Sequence, residues 1–169
     1  MHVLENAHSR YAVRQMRPDD LVALETVFAG MSDWSRLLRF LAPTPRMTGS
    51  IRRALLDLSD RHVAYVAETV PERAAIGIGR YVVTGPGEVE VALSVVDAWQ
   101  RQGVGRLLLD RVVREAADAG MRNIVAAVSP GNPAALALAR ACLPHARVEV
   151  RDGIVWLSAA VPVGSRAAA

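Results

Sequence analysis

The chain of 169 residues contains no lysine, and all 20 of its basic residues are arginines. Without lysine it cannot carry a Gly-Lys-Ser/Thr motif, which excludes the P-loop class of nucleotide-binding proteins. It has a single cysteine, Cys142, and therefore no internal disulfide. One unpaired cysteine is consistent with a reducing compartment, so we expect a cytoplasmic protein.

Long hydrophobic runs and charge clusters are also missing. No segment approaches the roughly 18 consecutive apolar residues that a membrane-spanning helix requires. The N-terminal residues include Glu5, His8 and Arg10, and they lack the apolar core of a secretory signal peptide. The net charge is only +3 and the arginines are dispersed. We therefore expect neither a membrane nor a nucleic acid as a partner.

Length and composition indicate one domain. An apolar content of 51% is typical of a globular α/β protein, and 169 residues can bury a substantial core. We expect a flexible lead-in over residues 1–10, a single domain over residues 11–160 and a disordered tail over residues 161–169.

Hydrophobic periodicity predicts the main elements in the order β-α-α-β-β-β-α-β-α-β-β, with an additional short helix in the turn-rich segment between the first two helices. The predicted strands are Tyr11–Arg17, His62–Thr69, Ala75–Thr84, Glu88–Val96, Asn123–Val128, Arg147–Val150 and Ile154–Ser158. The predicted helices are one that begins at Pro18-Asp19-Asp20, a short one at Trp34–Phe40 within a turn-rich segment, Ser50–Leu58, a long one that ends at Gly120, and Ala134–Cys142.

The segment from Ala98 to Arg106 joins an apolar strand to the long helix. It contains no proline, so every residue offers a backbone N–H, and the helix N-terminus adds its positive end. Gly103 and Gly105 let the backbone approach a phosphate closely, and either can adopt positive φ. Arg101 and Arg106 add charge suited to a diphosphate or a 3′-phosphate. The segment therefore predicts a phosphate site, with a plain helix cap as the alternative.

The spacing Gln100-x-x-Gly103-x-Gly105 resembles the acyl-CoA pyrophosphate loop of the GNAT family of N-acetyltransferases, and the resemblance extends from about Tyr11 to about Leu157. It implies an α/β fold with a mixed, mostly antiparallel sheet, splayed parallel strands four and five, and helices on both faces. It also implies acetyl-CoA (coenzyme A) as cofactor, lying in the opening between those strands. The implied cofactor-binding residues are Leu93, Val95, Gln100, Arg101, Gln102, Gly103, Val104, Gly105, Arg106 and Asn132, with Trp99 packed under the loop.

A general base is expected on the strand before the loop. Amide formation needs a neutral amine, whereas a lysine-like ammonium with a pKa near 10.4 is almost wholly protonated at neutral pH. By strand alternation Glu88, Glu90, Ala92 and Ser94 share one face. Glu90, ten residues before Gln100, is the candidate base. Glu88 is the second candidate, and a solvated carboxylate without a catalytic role is the alternative.

One branch of the family matches this strand in particular. In the Pat-type bacterial protein lysine acetyltransferases, a strand glutamate occupies the spacing of Glu90. The strings Glu90–Val95 and Gly77–Tyr81 resemble that branch as well. Many other members carry a tyrosine acid seven residues after the motif asparagine. Counting from Asn132 gives Ala139, so that acid is absent here, as it is in the Pat branch. Asn132 has an alternative role as an Asx turn or helix cap.

The resemblance implies an N-acetyltransferase that transfers an acetyl group to a primary amine by direct attack in a ternary complex. Trp34 and Arg39 lie where the fold places the acceptor-facing wall, although core packing explains Trp34 equally well. A protein lysine is the favoured acceptor. The alternatives are a small amine such as a polyamine, amino acid or antibiotic, and a non-catalytic domain that senses acyl-CoA. We expect a monomer or homodimer, and no metal site because His62 and His145 lack ligand spacing.

Overall fold

The computed structural model describes residues 10–162. The lead-in and the tail expected from the sequence therefore lie outside the described residues, except for Arg10, Val161 and Pro162. Val161 is buried and donates its N–H to the carbonyl of Arg122 at 2.8 Å, so ordered structure extends past residue 160. Within residues 10–162 no helix is both long enough and apolar enough to cross a membrane.

In the part of the chain that the structure describes, seven strands and five α-helices follow the predicted order, with three helices between the first two strands, the short one included. The strands are β1 Tyr11–Gln15, β2 His62–Thr69, β3 Ala75–Gly85, β4 Glu88–Val95, β5 Asn123–Val128, β6 Arg147–Arg151 and β7 Ile154–Ala160. The α-helices are α1 Leu21–Ala29, α2 Asp33–Phe40, α3 Gly49–Leu56, α4 Val104–Asp118 and α5 Pro133–Cys142. A 3-10 turn at Asp97–Trp99, too short for periodicity to reveal, precedes the loop.

The strands form one mixed sheet in the order β1-β2-β3-β4-β5-β7-β6. Every neighbouring pair is antiparallel except β4 and β5, which run parallel. These two strands pair only where Glu88–Glu90 lies beside Asn123–Val125. Beyond that point β4 continues to Val95 without pairing to β5, and the two strands diverge. The expected mixed sheet with splayed strands four and five is confirmed.

Helices cover both faces of the sheet. Helix α4 packs on one face through Val104, Leu108 and Val112, which are fully buried. Helices α1 and α3 cover the other face around a second apolar cluster that includes Leu24 and Ile78. Helix α4 lies close to the sheet because β3 presents glycines beneath it. A Cβ at Gly77 would meet Leu108 Cδ1 at 2.9 Å and the carbonyl of Ser94 at 3.0 Å, so the close approach requires glycine.

Helix α4 ends where the sequence predicts. Gly120 has φ +74°, its N–H donates to Ala117, and the N–H of Met121 donates to Ala116. This pair of hydrogen bonds is a Schellman motif, which satisfies the last carbonyls of the helix. The helix is thereby fixed at its C-terminal end as well as along its buried face.

Candidate active site

The loop between β4 and α4 carries a row of backbone N–H groups. Gly103 has φ +88° and stands at the N-terminus of α4, while Arg101 has φ +59°. Gly105 is already helical, so the second positive φ belongs to Arg101 rather than to Gly105. No oxygen within residues 10–162 accepts a hydrogen bond from the N–H groups of residues 101–106. Together with the helix N-terminus, these donors form a site suited to an anion.

The two glutamines brace this loop from behind. Gln100 donates through Nε2 to the carbonyl of Val95 at 3.2 Å and to Asp97 Oδ1 at 3.0 Å. Gln102 donates through Nε2 to the carbonyl of Ala98 at 2.8 Å. Both side chains hold the 3-10 turn against the loop, and the backbone of the loop is left to face a ligand. The ring of Trp99 in this turn meets that of Tyr11 edge-on, with 5.9 Å between centroids.

The free edge of β4 presents further backbone donors. The N–H of Val96 donates to Ile76 on β3, and the register continues without a shift through Ser94 and Ile78. In an antiparallel pair, residues two apart point their N–H and C=O groups at the same neighbour. The backbone groups of Leu93 and Val95 therefore point to the opposite side, into the gap where β5 has diverged.

A cleft of about 990 Å³ occupies this gap. It runs from the loop, along the free edge of β4, to the inner end of α2, with α5 on its other side. The predicted residues that line it are Arg39, Glu90, Leu93, Val95, Gln100, Arg101, Gly103, Gly105, Arg106 and Asn132. The structure thus brings together residues from four separate parts of the chain.

Three predicted residues do not line the cleft. Val104 is fully buried on the side of α4 that packs against the sheet, and the side chain of Gln102 is turned back to Ala98, so neither side chain reaches the cleft. Trp34 is 60% exposed on the first turn of α2. Its Cη2 atom lies 3.7 Å from where a Cβ of Gly131 would stand, so Trp34 faces the β5–α5 loop at the rim.

Glu90 lies at the point where the strands part. It is half-buried, opposite Val82 on β3 and Val125 on β5. Among the described residues that line the cleft it is the only carboxylate. Glu88 does not line the cleft, and its Oε1 accepts a hydrogen bond from Thr84 at 3.0 Å.

Two arginines lie close to Glu90 at the inner end of the cleft. Arg39 of α2 donates through Nε to Ser94 Oγ at 3.1 Å. Burial, and then the charge of Arg80, lower the pKa of Arg39 to about 9, with Glu90 opposing the shift, so the guanidinium still carries its charge at neutral pH. Burial also lowers the pKa of Arg80, again opposed by Glu90. Sequence reasoning missed Arg80, although it is the one charged side chain of β3 and alternation places it on the face of Ser94.

The matched family model decides what this arrangement is. Residues 31–142, well over half of the chain, match the acetyltransferase (GNAT) family. The chain belongs to the GNAT family. It is therefore an N-acetyltransferase of the acyltransferase class that uses acetyl-CoA. A search of curated proteins finds no match.

Solved structures support the same family. The GNAT domain of S. lividans PAT is 27% identical, with a TM-score of 0.81 over 89% of this chain and 90% of that one. This likeness supports the Pat-like branch. A phosphinothricin acetyltransferase from Sinorhizobium meliloti in complex with acetyl-CoA is 16% identical, with a TM-score of 0.72 over 93% of this chain and 91% of that one. The ribosomal-protein-S18-alanine N-acetyltransferase of Escherichia coli is 15% identical, with a TM-score of 0.66 over 94% and 99%. The last two likenesses show the fold alone.

Helix α5 contributes two positions to the site, Asn132 at its N-terminus and Ala139 within it. Asn132 caps α5 by accepting the N–H of Ala135 on Oδ1 at 3.0 Å. Its Nδ2 has no acceptor within residues 10–162, and the residue lines the cleft. Ala139, at the position of the tyrosine acid of other members, is buried. None of the three tyrosines of the chain, Tyr11, Tyr65 and Tyr81, lines the cleft, so none stands in for it.

The residues present fit acetyl-CoA. The unpaired N–H groups of residues 101–106 suit its diphosphate, and nothing lies within 4 Å of a Cβ position at Gly103, which leaves room for phosphate oxygens. The free edge at Leu93 and Val95 suits the amide groups of the pantetheine arm. Arg101 and Arg106 are exposed at the loop and bring positive charge to that end of the cleft.

Proposed function

We propose that this GNAT enzyme transfers an acetyl group from acetyl-CoA to a primary amine by direct attack in a ternary complex, with Glu90 as general base. The observation that carries the proposal is the position of Glu90. It is the only carboxylate among the described cleft residues, and it lies where β4 and β5 part. An acceptor amine that enters the cleft beside the free edge of β4 comes within reach of this side chain.

Bound acetyl-CoA supplies an acetyl group activated as a thioester. The N–H groups of residues 101–106, with Arg101 and Arg106, hold its phosphates by charge-assisted hydrogen bonds. The backbone of Leu93 and Val95 pairs with its amide groups, as an added strand would. The free Nδ2 of Asn132 donates to the pantetheine arm from the side of α5. Held by these residues, acetyl-CoA would supply its thioester within the cleft that Glu90 lines.

Glu90 acts on the acceptor. An amine is a nucleophile only when neutral, and a carboxylate in a half-buried position accepts the proton that the ammonium form carries. The acceptor is held so that its nitrogen faces Glu90, directly or through one water. No tyrosine is needed for the leaving group, because a thiol with a pKa near 8.5 leaves readily as a thiolate.

A protein lysine is the first candidate for the acceptor. It is supported by the resemblance of Glu90–Val95 and Gly77–Tyr81 to the Pat branch and by the 27% identity to the S. lividans PAT domain. A small amine is the second candidate, and the two arginines at the inner end of the cleft favour it. A domain that binds acyl-CoA without turnover is the third.

Release of free thiol from acetyl-CoA, measured with amines and lysine-bearing proteins, tests the proposal. The chain contains no lysine, so any acetyl-lysine detected belongs to the acceptor. We expect amine-dependent thiol release and an acetylated product. Calorimetry with coenzyme A separates the other outcomes. Binding without thiol release for any amine would favour the sensing domain, and absence of binding would refute the assignment of the loop.

A further inference from the structure

The inner end of the cleft carries more positive charge than the proposed transfer requires. Arg39, Arg80, Glu90 and Ser94 line it together. Arg39, Arg80 and Ser94 also line a small adjoining cavity of about 20 Å³, so both arginines border the same space. Two positive charges thus stand near one negative charge, on elements other than the loop that carries Arg101 and Arg106.

Arg80 is held in place by a neutral histidine. Its terminal Nη1 lies 3.3 Å from His62 Nε2, and His62 Nδ1 lies 2.9 Å from the carbonyl of Asp57. Because a guanidinium only donates, Nε2 must accept and Nδ1 must carry the proton. The Nε of Arg80 is buried and has no acceptor within residues 10–162. That buried donor carries an energetic cost, whereas the rest of the Arg80 side chain borders the cleft.

Arg39 is oriented in a similar way. Its Nε is engaged by Ser94, and its ring partner Phe40 lies 5.0 Å below the guanidinium. Its two terminal nitrogens have no acceptor within residues 10–162. They form the flat fork that binds a carboxylate by two parallel hydrogen bonds.

No protein carboxylate balances this pair. Within the described residues, neither arginine has an oxygen of Asp or Glu within the 4.0 Å that defines an ion pair. Glu90 is near enough to be felt electrostatically by both, yet contacts neither. The strand register explains the gap. Arg80 stands opposite Ala92, one step along the same face from Glu90.

We propose that Arg39 and Arg80 bind an anionic group of the acceptor, so that the acceptor is a small amine with a carboxylate close to its reacting nitrogen, as in an α-amino acid. The amine then faces Glu90 while the carboxylate faces the arginines. Opposite charges on one small molecule match opposite charges spaced along one face of β4 and β3. This inference rests on the proposed function, and it narrows the acceptor to the small-amine class.

A carboxylate that binds the two arginines has a second conceivable source besides the acceptor. The carboxylate could belong to the acyl chain of a dicarboxylic acyl-CoA rather than to the acceptor. Both arginines line the inner end of the cleft together with Phe40 at the end of α2, the helix expected to form the acceptor-facing wall. The position of the pair therefore favours the acceptor.

The test compares each of a panel of L-α-amino acids with its own carboxamide, using acetyl-CoA as donor. Spermidine and an amidated lysine peptide serve as acceptors without a nearby carboxylate. We expect kcat/KM to favour the acid over the amide by roughly 10- to 100-fold for the best amino acid, the range expected when a charged hydrogen-bond partner is lost. The amine of the amide is less basic, a difference that favours the amide, so amine basicity cannot produce this preference.

Variants assign the preference to the pair. Arg80→Gln should abolish the difference between acid and amide, while KM for acetyl-CoA stays within about twofold and the melting temperature is not lowered, because a buried unpaired donor is removed. Arg80→Lys should restore part of the preference through its charge. Arg140→Gln, on the exposed surface of α5 and outside the cleft, is the matched control and should behave as wild type.

The outcomes separate the inference from the proposed function. Turnover of spermidine or the peptide with equal rates for acids and amides would overturn the inference and leave the acetyltransferase in place. A preference for succinyl-CoA over acetyl-CoA that Arg80→Gln removes would overturn it in favour of the acyl chain. No turnover with any amine, despite binding of coenzyme A, would instead refute the proposed function on which the inference rests.

Discussion

Glu90 on β4 pairs with Val125 on β5, and this is the last position at which the two strands run side by side. The same register therefore sets both the place of the candidate base and the point where the cleft opens. A shift of one residue would turn Glu90 to the α4 face of the sheet. The pairing of Glu90 with Val125 thus fixes both the position of the candidate base and the point where the cleft begins.

The role of Glu90 can be tested by an isosteric change. Glu90→Gln keeps the size and polarity of the side chain but removes its ability to accept a proton. We expect turnover to fall by roughly 10²- to 10⁴-fold with coenzyme A affinity nearly unchanged. Glu88→Gln is the matched control, since Glu88 lies on the same strand face and outside the cleft. Unchanged turnover in Glu90→Gln at neutral pH would remove Glu90 from the mechanism.

The phosphate role of the loop can be separated from its backbone strain. Gly103 and Gly120 flank α4, both have positive φ, and a Cβ at either meets nothing within 4 Å. Alanine at either position should therefore cost a similar stability of about 1 kcal/mol. Only Gly103→Ala should weaken coenzyme A binding, by roughly 10-fold or more, because its Cβ enters the space proposed for the phosphates. Calorimetry and thermal melting measure the two effects, and equal affinities in both variants would contradict the phosphate site.

Asn132 has two proposed roles that different variants distinguish. Asn132→Ala removes both the helix cap and the free amide, whereas Asn132→Ser retains a cap. We expect a loss of about 1 kcal/mol of stability for alanine and little for serine. Both variants should raise KM for acetyl-CoA, since neither can donate from Nδ2. If Asn132→Ser keeps the wild-type KM, Asn132 serves only as a cap.

The close approach of α4 depends on Gly77. In Gly77→Ala the added methyl meets Leu108 and the carbonyl of Ser94, and we expect a loss of about 1–3 kcal/mol in the free energy of unfolding. Gly85, on the same strand, has nothing within 4 Å of its Cβ position. Gly85→Ala should therefore be neutral or slightly stabilising. Denaturant titration of both variants checks this, and equal stability would show that α4 can move away at little cost.

His62 predicts a pH dependence of stability. Burial, and then the charge of Arg80, lower its pKa below the ordinary 6.5, while the contact with Asp57 opposes the shift. The folded chain therefore keeps this histidine neutral where the unfolded chain binds a proton. The stability that neutral His62 contributes is therefore fully present above pH 6.5. It is lost as the pH falls from 6.5 toward the lower pKa that His62 has in the folded chain. Denaturation of wild type and His62→Asn between about pH 7.5 and about pH 5.5 should show a smaller decline in the variant. Parallel curves would contradict the prediction.

Local patterns were enough to place most elements. The strands His62–Thr69 and Asn123–Val128 were predicted with the bounds that the structure has, because apolar runs and turns mark them within the sequence. Helix α3 ends at Leu56, short of the predicted Leu58, since the N–H of Leu58 turns back to the carbonyl of Leu56. Helical hydrogen bonding is decided within a turn, and apolar spacing alone cannot mark where it stops.

The candidate site divides in the same way. The glycine turn alone predicts a phosphate loop at residues 100–105, and strand alternation places Glu88 and Glu90 on one face, whereas the roles of Glu90 and Asn132 are predictions from the resemblance to the GNAT family. Arg80 was missed. Its importance depends on standing across from Ala92, next to Arg39 of another element.

Sequence alone determined the order of the strands and helices and that a row of backbone donors precedes α4, since these depend on contacts within a few residues. Only the tertiary structure decided which side chains line the cleft. It buried Val104, turned Gln102 back to the 3-10 turn, placed Trp34 at the rim and brought two arginines from distant elements beside Glu90. Convergence of this kind is set by sheet register and helix packing, which join residues that no local pattern connects.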